Sequence, residues 1–180
     1  MDAGIPVLTS RQVFESKGIL FSIRRKVVTP GKGYTLGNFK LIFFELSHDI
    51  YCLGCHVFHP SSGNILFITD TYMVENVFKN INHVMIEINY ADDILIGNII
   101  KGVLPALIKH RLMNSHMELE SAKLFLKSIY NKELRNILLL HLSNGNSSEE
   151  RFVREITEEL GVNVMAADKE MIINFDKIPY

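Results

Sequence analysis

Along the first half of the chain, apolar residues fall in short runs broken by turn chemistry, the pattern of a sheet. Residues 5–8 are short and apolar, as a strand would be. Thr9 and Ser10 offer caps for a helix through Ser16, closed by Gly18, and residues 19–25 alternate as a second strand. The loop TPGKG, residues 29–33, is turn chemistry. Residues 39–46 (FKLIFFEL) form a strong strand, rich in aromatic and β-branched side chains. Residues 51–58 read as the next strand, and Ser61-Ser62-Gly63-Asn64 as a hairpin turn into residues 65–69. Residues 83–88 (HVMIEI) are a further strand, leading to Asp92-Asp93, a negative helix start.

The second half changes period. Residues 94–113 are apolar at helical spacing, broken or bent at Gly102 and Pro105. Ser115 and Glu118 have the spacing of a capping box before the periodic Leu119, Ala122, Leu126 and Ile129. Residues 137–141 (ILLLH) read as a short buried strand. A second capping box in residues 147–150 precedes a helical face of Phe152, Ile156 and Leu160, ended by Gly161. Residues 162–166 and 171–175 are the last expected strands. The plan is strand-rich first and then αβαβ, an α/β (α+β) fold with helices covering sheet faces.

Composition narrows this picture. The 180 residues suit one domain with a substantial core, 47% hydrophobic and 22% charged. Nineteen basic residues against twenty acidic ones leave a net charge of −1, with no overall pull toward nucleic acid or membrane. Two cysteines do not make a disulfide scaffold, so a reducing cytoplasm is expected. The N-terminus lacks the build of a signal peptide, and no stretch has the length of a membrane span.

Three polar residues sit at the ends of apolar strands: His48 after FFELS, Asp70 after LFIT and His141 after ILLL. Imidazoles and a carboxylate at strand tips can converge on one point and form a metal site. Aspartate suits a bridging position, since each oxygen can hold one of two ions.

The segments FELSHD (44–49), ITDT (68–71), EINY (87–90), SHMELESA (115–122) and HLSNGNS (141–147), in this order and spacing, resemble the metallo-β-lactamase superfamily. Within it, they resemble the single-domain, exonuclease-like hydrolases. The resemblance covers residues 4–175 and implies an αββα sandwich with a metal site at the sheet edges. By the matched motifs, His48 is implied as a ligand of a first metal, Asp70 as a bridge and His141 as a ligand of a second, with zinc or manganese as cofactor. His116 falls where the family places a histidine near the leaving group or scissile phosphate, a catalytic position; if Ser115 and Glu118 simply cap the helix, it is instead an exposed residue of the N-terminal turn. Apart from the resemblance, Glu87, before Asn89 and Tyr90, reads either as a carboxylate that orients a ligand histidine or as an ordinary strand-end carboxylate. Ser143 and Asn146 are implied to shape the substrate pocket.

The sequence departs from the family in several places. The H-x-H-x-D-H signature, which supplies several ligands, lies in the family upstream of the segment resembling AGIPVLTS, and none of the seven histidines falls in that pattern. Tyr72 replaces a glycine, Ile88 a serine and Ser115 a glycine. The expectation is therefore a single domain over residues 1–180, an incomplete αββα sandwich without the family's N-terminal part. Three ligands are too few for a two-metal hydrolytic site.

Two rival signals have plainer readings. Cys52-x-x-Cys55-His56, with His59 nearby, matches a haem attachment pattern or a Cys₂His₂ set. On a strand, however, these side chains split between faces, so the segment reads as a structural strand. Gly31-Lys32-Gly33 lacks the rest of a phosphate-binding loop and reads as a turn.

Two functions are expected. In one, the chain is the C-terminal part, or a degenerate relative, of a metal-dependent hydrolase acting on phosphodiesters, nucleic acid or nucleotide, and is inactive alone. In the other it is a non-catalytic binding or assembly module. Chance motif matches in an unrelated α/β protein are a third reading. Missing strands would leave sheet edge and apolar face uncovered, so a homo-oligomer or a complementing N-terminal chain is expected.

Overall fold

The structure, a computed structural model, describes residues 4–177. It opens with β1 (Val7–Thr9), α1 (Arg11–Ser16) and β2 (Arg25–Val27), the two strands pairing in parallel. Next come β3 (Gly33–Leu36), β4 (Phe39–Leu46), β5 (Cys52–His59), β6 (Gly63–Ile68) and β7 (His83–Glu87). The second half holds α2 (Asp92–Ile100), α3 (Leu107–Met113), α4 (Leu119–Ile129), β8 (Asn136–Leu140), α5 (Glu149–Leu160) and β9 (Asn163–Ala166). Strands β3 to β9 form one seven-stranded sheet in sequence order. Pairing is antiparallel from β3 to β6 and parallel from β6 to β9. Hairpins join the antiparallel half; in the parallel half an irregular segment, residues 69–82, connects β6 to β7, and helices carry the crossovers from β7 to β8 and from β8 to β9.

The core lies on one face of this sheet. Leu66 and Ile68 of β6, Val84 and Ile86 of β7, Ile137 and Leu139 of β8 and Val164 of β9 all point to that side. The buried stripes of α4 (Ala122, Leu126, Ile129) and α5 (Phe152, Ile156, Leu160) close over them. Lys123 of α4 joins the two helices outside by pairing with Glu155 at 3.4 Å. Gly161 ends α5 in the left-handed conformation, φ 66°, which favours glycine. Gly54 of β5 lies against the Phe44 ring, where a Cβ would collide.

The register carries a second apolar row across the opposite face, Phe43–Cys55–Phe67–Met85–Leu138–Met165, one residue from each of six adjacent strands. Part of this face is covered by the C-terminal segment. Phe175 stacks on His83 with centroids 4.6 Å apart, and the Lys177 amide donates to the Ser61 carbonyl.

Several expected elements differ. Residues 19–24 form no strand: Phe21 and Ile23 are 94% and 96% exposed, so the alternation has no surface to bury. Residues 171–175 are also irregular, anchored by the Phe175 ring rather than by a ladder. Strand β3 was not expected; its four residues pair with β4 through a turn at Gly37. Residues 94–113, by contrast, break at Gly102 and Pro105 as expected, into the helices α2 and α3.

Neither capping box forms. Glu118 itself caps α4, its carboxylate accepting from the Glu120 and Ser121 amides at 2.7 and 3.2 Å, while the Ser115 hydroxyl donates to the Arg111 carbonyl. Ser148 occupies the cap position of α5 without a side-chain bond, and the Ser147 hydroxyl donates to the Ser143 carbonyl. Among the described residues, no helix is long and apolar enough to cross a membrane.

Candidate metal centre

Parallel strands β6, β7 and β8 all end at the same edge of the sheet, and three polar side chains gather there. Glu87 is the last residue of β7, paired in register with Leu140. Asp70 follows β6 by two residues and His141 follows β8 by one, so they flank Glu87 from either side. Both flanking residues have positive φ, 56° at Asp70 and 54° at His141, as the backbone turns out of the strand direction.

His116 arrives from the α3–α4 connection. The Asn89 amide donates to the Met117 carbonyl and the Leu119 amide to the Tyr90 carbonyl, both at 2.9 Å, which lays this connection alongside residues 88–90. His116 Nδ1 thereby meets Glu87 Oε1 in a short hydrogen bond. His141 Nδ1 lies 3.3 Å from the same Glu87 oxygen and 3.5 Å from Asp70 Oδ1.

One donor atom from each of Asp70, Glu87, His116 and His141 lies within 4.8 Å of the other three. Two imidazoles and two carboxylates are a donor set that zinc or manganese accepts. Donors about 2.0–2.2 Å from a shared ion stand at most about 4.4 Å apart, so the cluster fits one divalent cation after small adjustments. Glu87 is fully buried, and a cation offsets the cost of burying its charge.

Burial pushes the Glu87 carboxyl up to about 7, opposed by the nearby His141 and by the amides of Thr71 and Asp70, which donate to Oε2. Burial lowers the pKa of His116, and the neighbouring His48 lowers it further, with Asp70 and Asp49 opposing.

His48 stands beside this group but outside it. Its ring centroid is 5.6 Å from that of His116, its Nδ1 bonds the Ser115 carbonyl at 2.7 Å, and its Nε2 faces Asp49 at 3.1 Å. The fully buried Thr71 ties the loop after β6 to the end of β4: its hydroxyl accepts from the Ser47 amide at 3.0 Å.

Ser143 and Asn146 build the loop after His141. The Ser143 amide donates to the Asn89 carbonyl, and Asn146 accepts from Ala91 through its carbonyl and from Asn98 through its side chain. They hold that loop against the start of α2.

The segment over Cys52–His59 is a strand, and its rival ligands go separate ways. Cys55 lies in the apolar row between Phe43 and Phe67, and His56 Nε2 is 3.0 Å from Asn64 Oδ1. His59 packs on Phe39. Cys52 is a neighbour that sequence reasoning missed: its thiol donates to the Asp70 carbonyl at 3.0 Å. Burial, with Asp70, Glu87 and Asp49 nearby, pushes that thiol up to about 11. Only the β4–β5–β6 register, which a sequence does not display, brings the two together.

No protein-family model matches the sequence, and no curated protein does. Solved structures do match. The metallo-β-lactamase fold protein YhfI from Bacillus subtilis superposes with a TM-score of 0.66 at 15% identity, covering 90% of this chain and 61% of that one. The isothiocyanate hydrolase from Delia radicum gut bacteria gives 0.62 at 14%, covering 95% and 67%. Human tRNase Z, short form, gives 0.54 at 14%, covering 94% and 67%. The chain thus spans about three fifths of the length of YhfI. What these proteins share with it at such identities is architecture: this chain has the metallo-β-lactamase fold.

Proposed function

We propose that this chain carries the substrate-facing part of a metal-dependent hydrolytic site acting on phosphodiesters, and that it works together with a second chain, a complementing polypeptide or another copy of itself. The observation that carries this reading is the convergence of Asp70, Glu87, His116 and His141 at the ends of three adjacent parallel strands. Asp70 and His141 would hold a zinc or manganese ion, with a Glu87 oxygen as a further donor and the His116 ring kept beside it for proton transfer. A bound cation would supply Lewis-acid polarisation of the phosphoryl group and neutralise developing charge.

The protein's own residues supply the rest. Glu87, itself held by the Asp70 and Thr71 amides, keeps a proton on His116 Nδ1 and fixes the ring. His116 Nε2 is then the atom that holds or hands over a proton at the leaving oxygen. A tRNase and an isothiocyanate hydrolase among the similar structures support a hydrolytic use of the fold.

A second reading, a non-catalytic binding or assembly module, is favoured by one detail: both Glu87 oxygens already have hydrogen-bond partners within the chain. Elemental analysis with zinc and manganese titration separates the two, run on the wild type, Asp70→Ala and His141→Ala. One tight equivalent, lost in both variants, is the expected result. It would be accompanied by metal-dependent cleavage of bis-p-nitrophenyl phosphate once the second chain is supplied. Weak binding indifferent to both substitutions would overturn the catalytic reading and leave the module.

A further inference from the structure

Beside His116 a cavity of about 480 Å³ runs between residues 72–74 and helix α4. Its walls are Tyr72, Met73, Met113, Met117, Leu124 and Phe125. Among the described residues no lysine or arginine lines it, and the charged ones besides His116 are the carboxylates Asp92 and Glu118. The first turns of α2 and α4 open toward this end of the site, and a free helix N-terminus would attract an anion. Here Glu118 occupies that role: its carboxylate accepts from the Glu120 and Ser121 amides and, at 3.4 Å, from Asp92 of α2. Away from His116, a phosphate in the cavity would meet two carboxylates and neither lysine nor arginine. An uncharged ring would meet aromatic and thioether surface, and methionines adapt readily to such a guest.

The geometry points to this cavity as the binding site for an uncharged aromatic or branched aliphatic arm of the substrate, whose hydrolysable phosphoryl end lies at His116. The substrate class is therefore a small ester with one apolar arm, rather than a polynucleotide with phosphates on both sides of the cleaved bond. This rests on the hydrolytic reading of the metal centre.

Three of the seven methionines, Met73, Met113 and Met117, line the cavity, so methyl-¹³C-methionine NMR reports on it directly. The probes are benzylphosphonate, methylphosphonate and adenosine 3′,5′-bisphosphate, titrated with and without zinc. The expected result is that benzylphosphonate shifts those three methyls and leaves Met85 and Met165 unmoved. It should bind about tenfold or more tighter than methylphosphonate, the scale of burying an aromatic ring. Ser121→Trp, on the exposed side of α4 at the cavity wall, should remove that preference without changing zinc affinity. Equal affinity for the two phosphonates, shifts elsewhere, tighter binding of the bisphosphate at these methyls, or indifference to Ser121→Trp would each overturn the inference. Failure of the zinc titration would instead overturn the metal reading alone, because the benzyl preference is also read in zinc-free protein.

Discussion

Asp70 and His141 hold backbone φ angles near +55°, a region that costs a residue with a Cβ about 1–2 kcal/mol. Such strain persists where surrounding structure enforces it, and it concentrates at functional sites. Here the enforcement is visible: the Asp70 amide donates to Glu87, and the His141 carbonyl accepts from Asn89 at 2.8 Å. The left-handed turn at each strand tip carries its side chain toward Glu87, which straight continuation of the strand would not do. A consequence separates ligand chemistry from backbone strain. His141→Gly should be more stable to urea than His141→Ala by about 1 kcal/mol, the left-handed cost less glycine's extra chain entropy, while both lose the histidine donor equally. Equal urea midpoints for the two variants would show that the backbone at this position is unstrained.

At the scale of elements, the helices and inner strands were legible because burial and period agree. Strand β4 matches its expected bounds of 39–46, and α5 shows the expected Phe152, Ile156 and Leu160 stripe up to Gly161. The failures share one cause: a local pattern needs a partner that the sequence does not reveal. Residues 19–24 alternate but meet no sheet, whereas β3, with little hydrophobic signal, forms because β4 offers it an edge. The site shows the same division. Asp70, His116 and His141 were legible from motifs at strand and helix ends, and Glu87 only as a strand-end carboxylate with two open readings, one of them the orienting of a histidine. The four-way grouping with His48 outside it depends on how the α3–α4 connection lies along residues 88–90. The cap of α4 is a further case, where spacing suggested Ser115 and the structure uses Glu118. Glu118→Ala should therefore lower unfolding stability by about 1 kcal/mol, the usual worth of a side-chain cap. An unchanged denaturation midpoint would count against this cap.

For the molecule as a whole, the two faces of the large sheet are unequally served. One lies under α4 and α5, with Leu66, Ile68, Val84 and Ile86 wholly buried. The other carries the apolar row from Phe43 to Met165, half-buried along most of its length and 36% exposed at Phe67. The β1–β2 region adds Phe21 and Ile23, almost wholly exposed. A net charge of −1 provides little repulsion between copies, and exposed apolar surface of this kind is normally covered by another surface. We propose that a second copy of the chain covers it. Light scattering across a dilution series should then give a dimer or larger species. Phe67→Glu, folded as judged by circular dichroism, should shift that distribution toward monomer, because a carboxylate in the middle of an apolar row cannot be buried unpaired at low cost. A wild-type chain that stays monomeric at every concentration would overturn self-association. Association unchanged by Phe67→Glu would move the contact away from the sheet face.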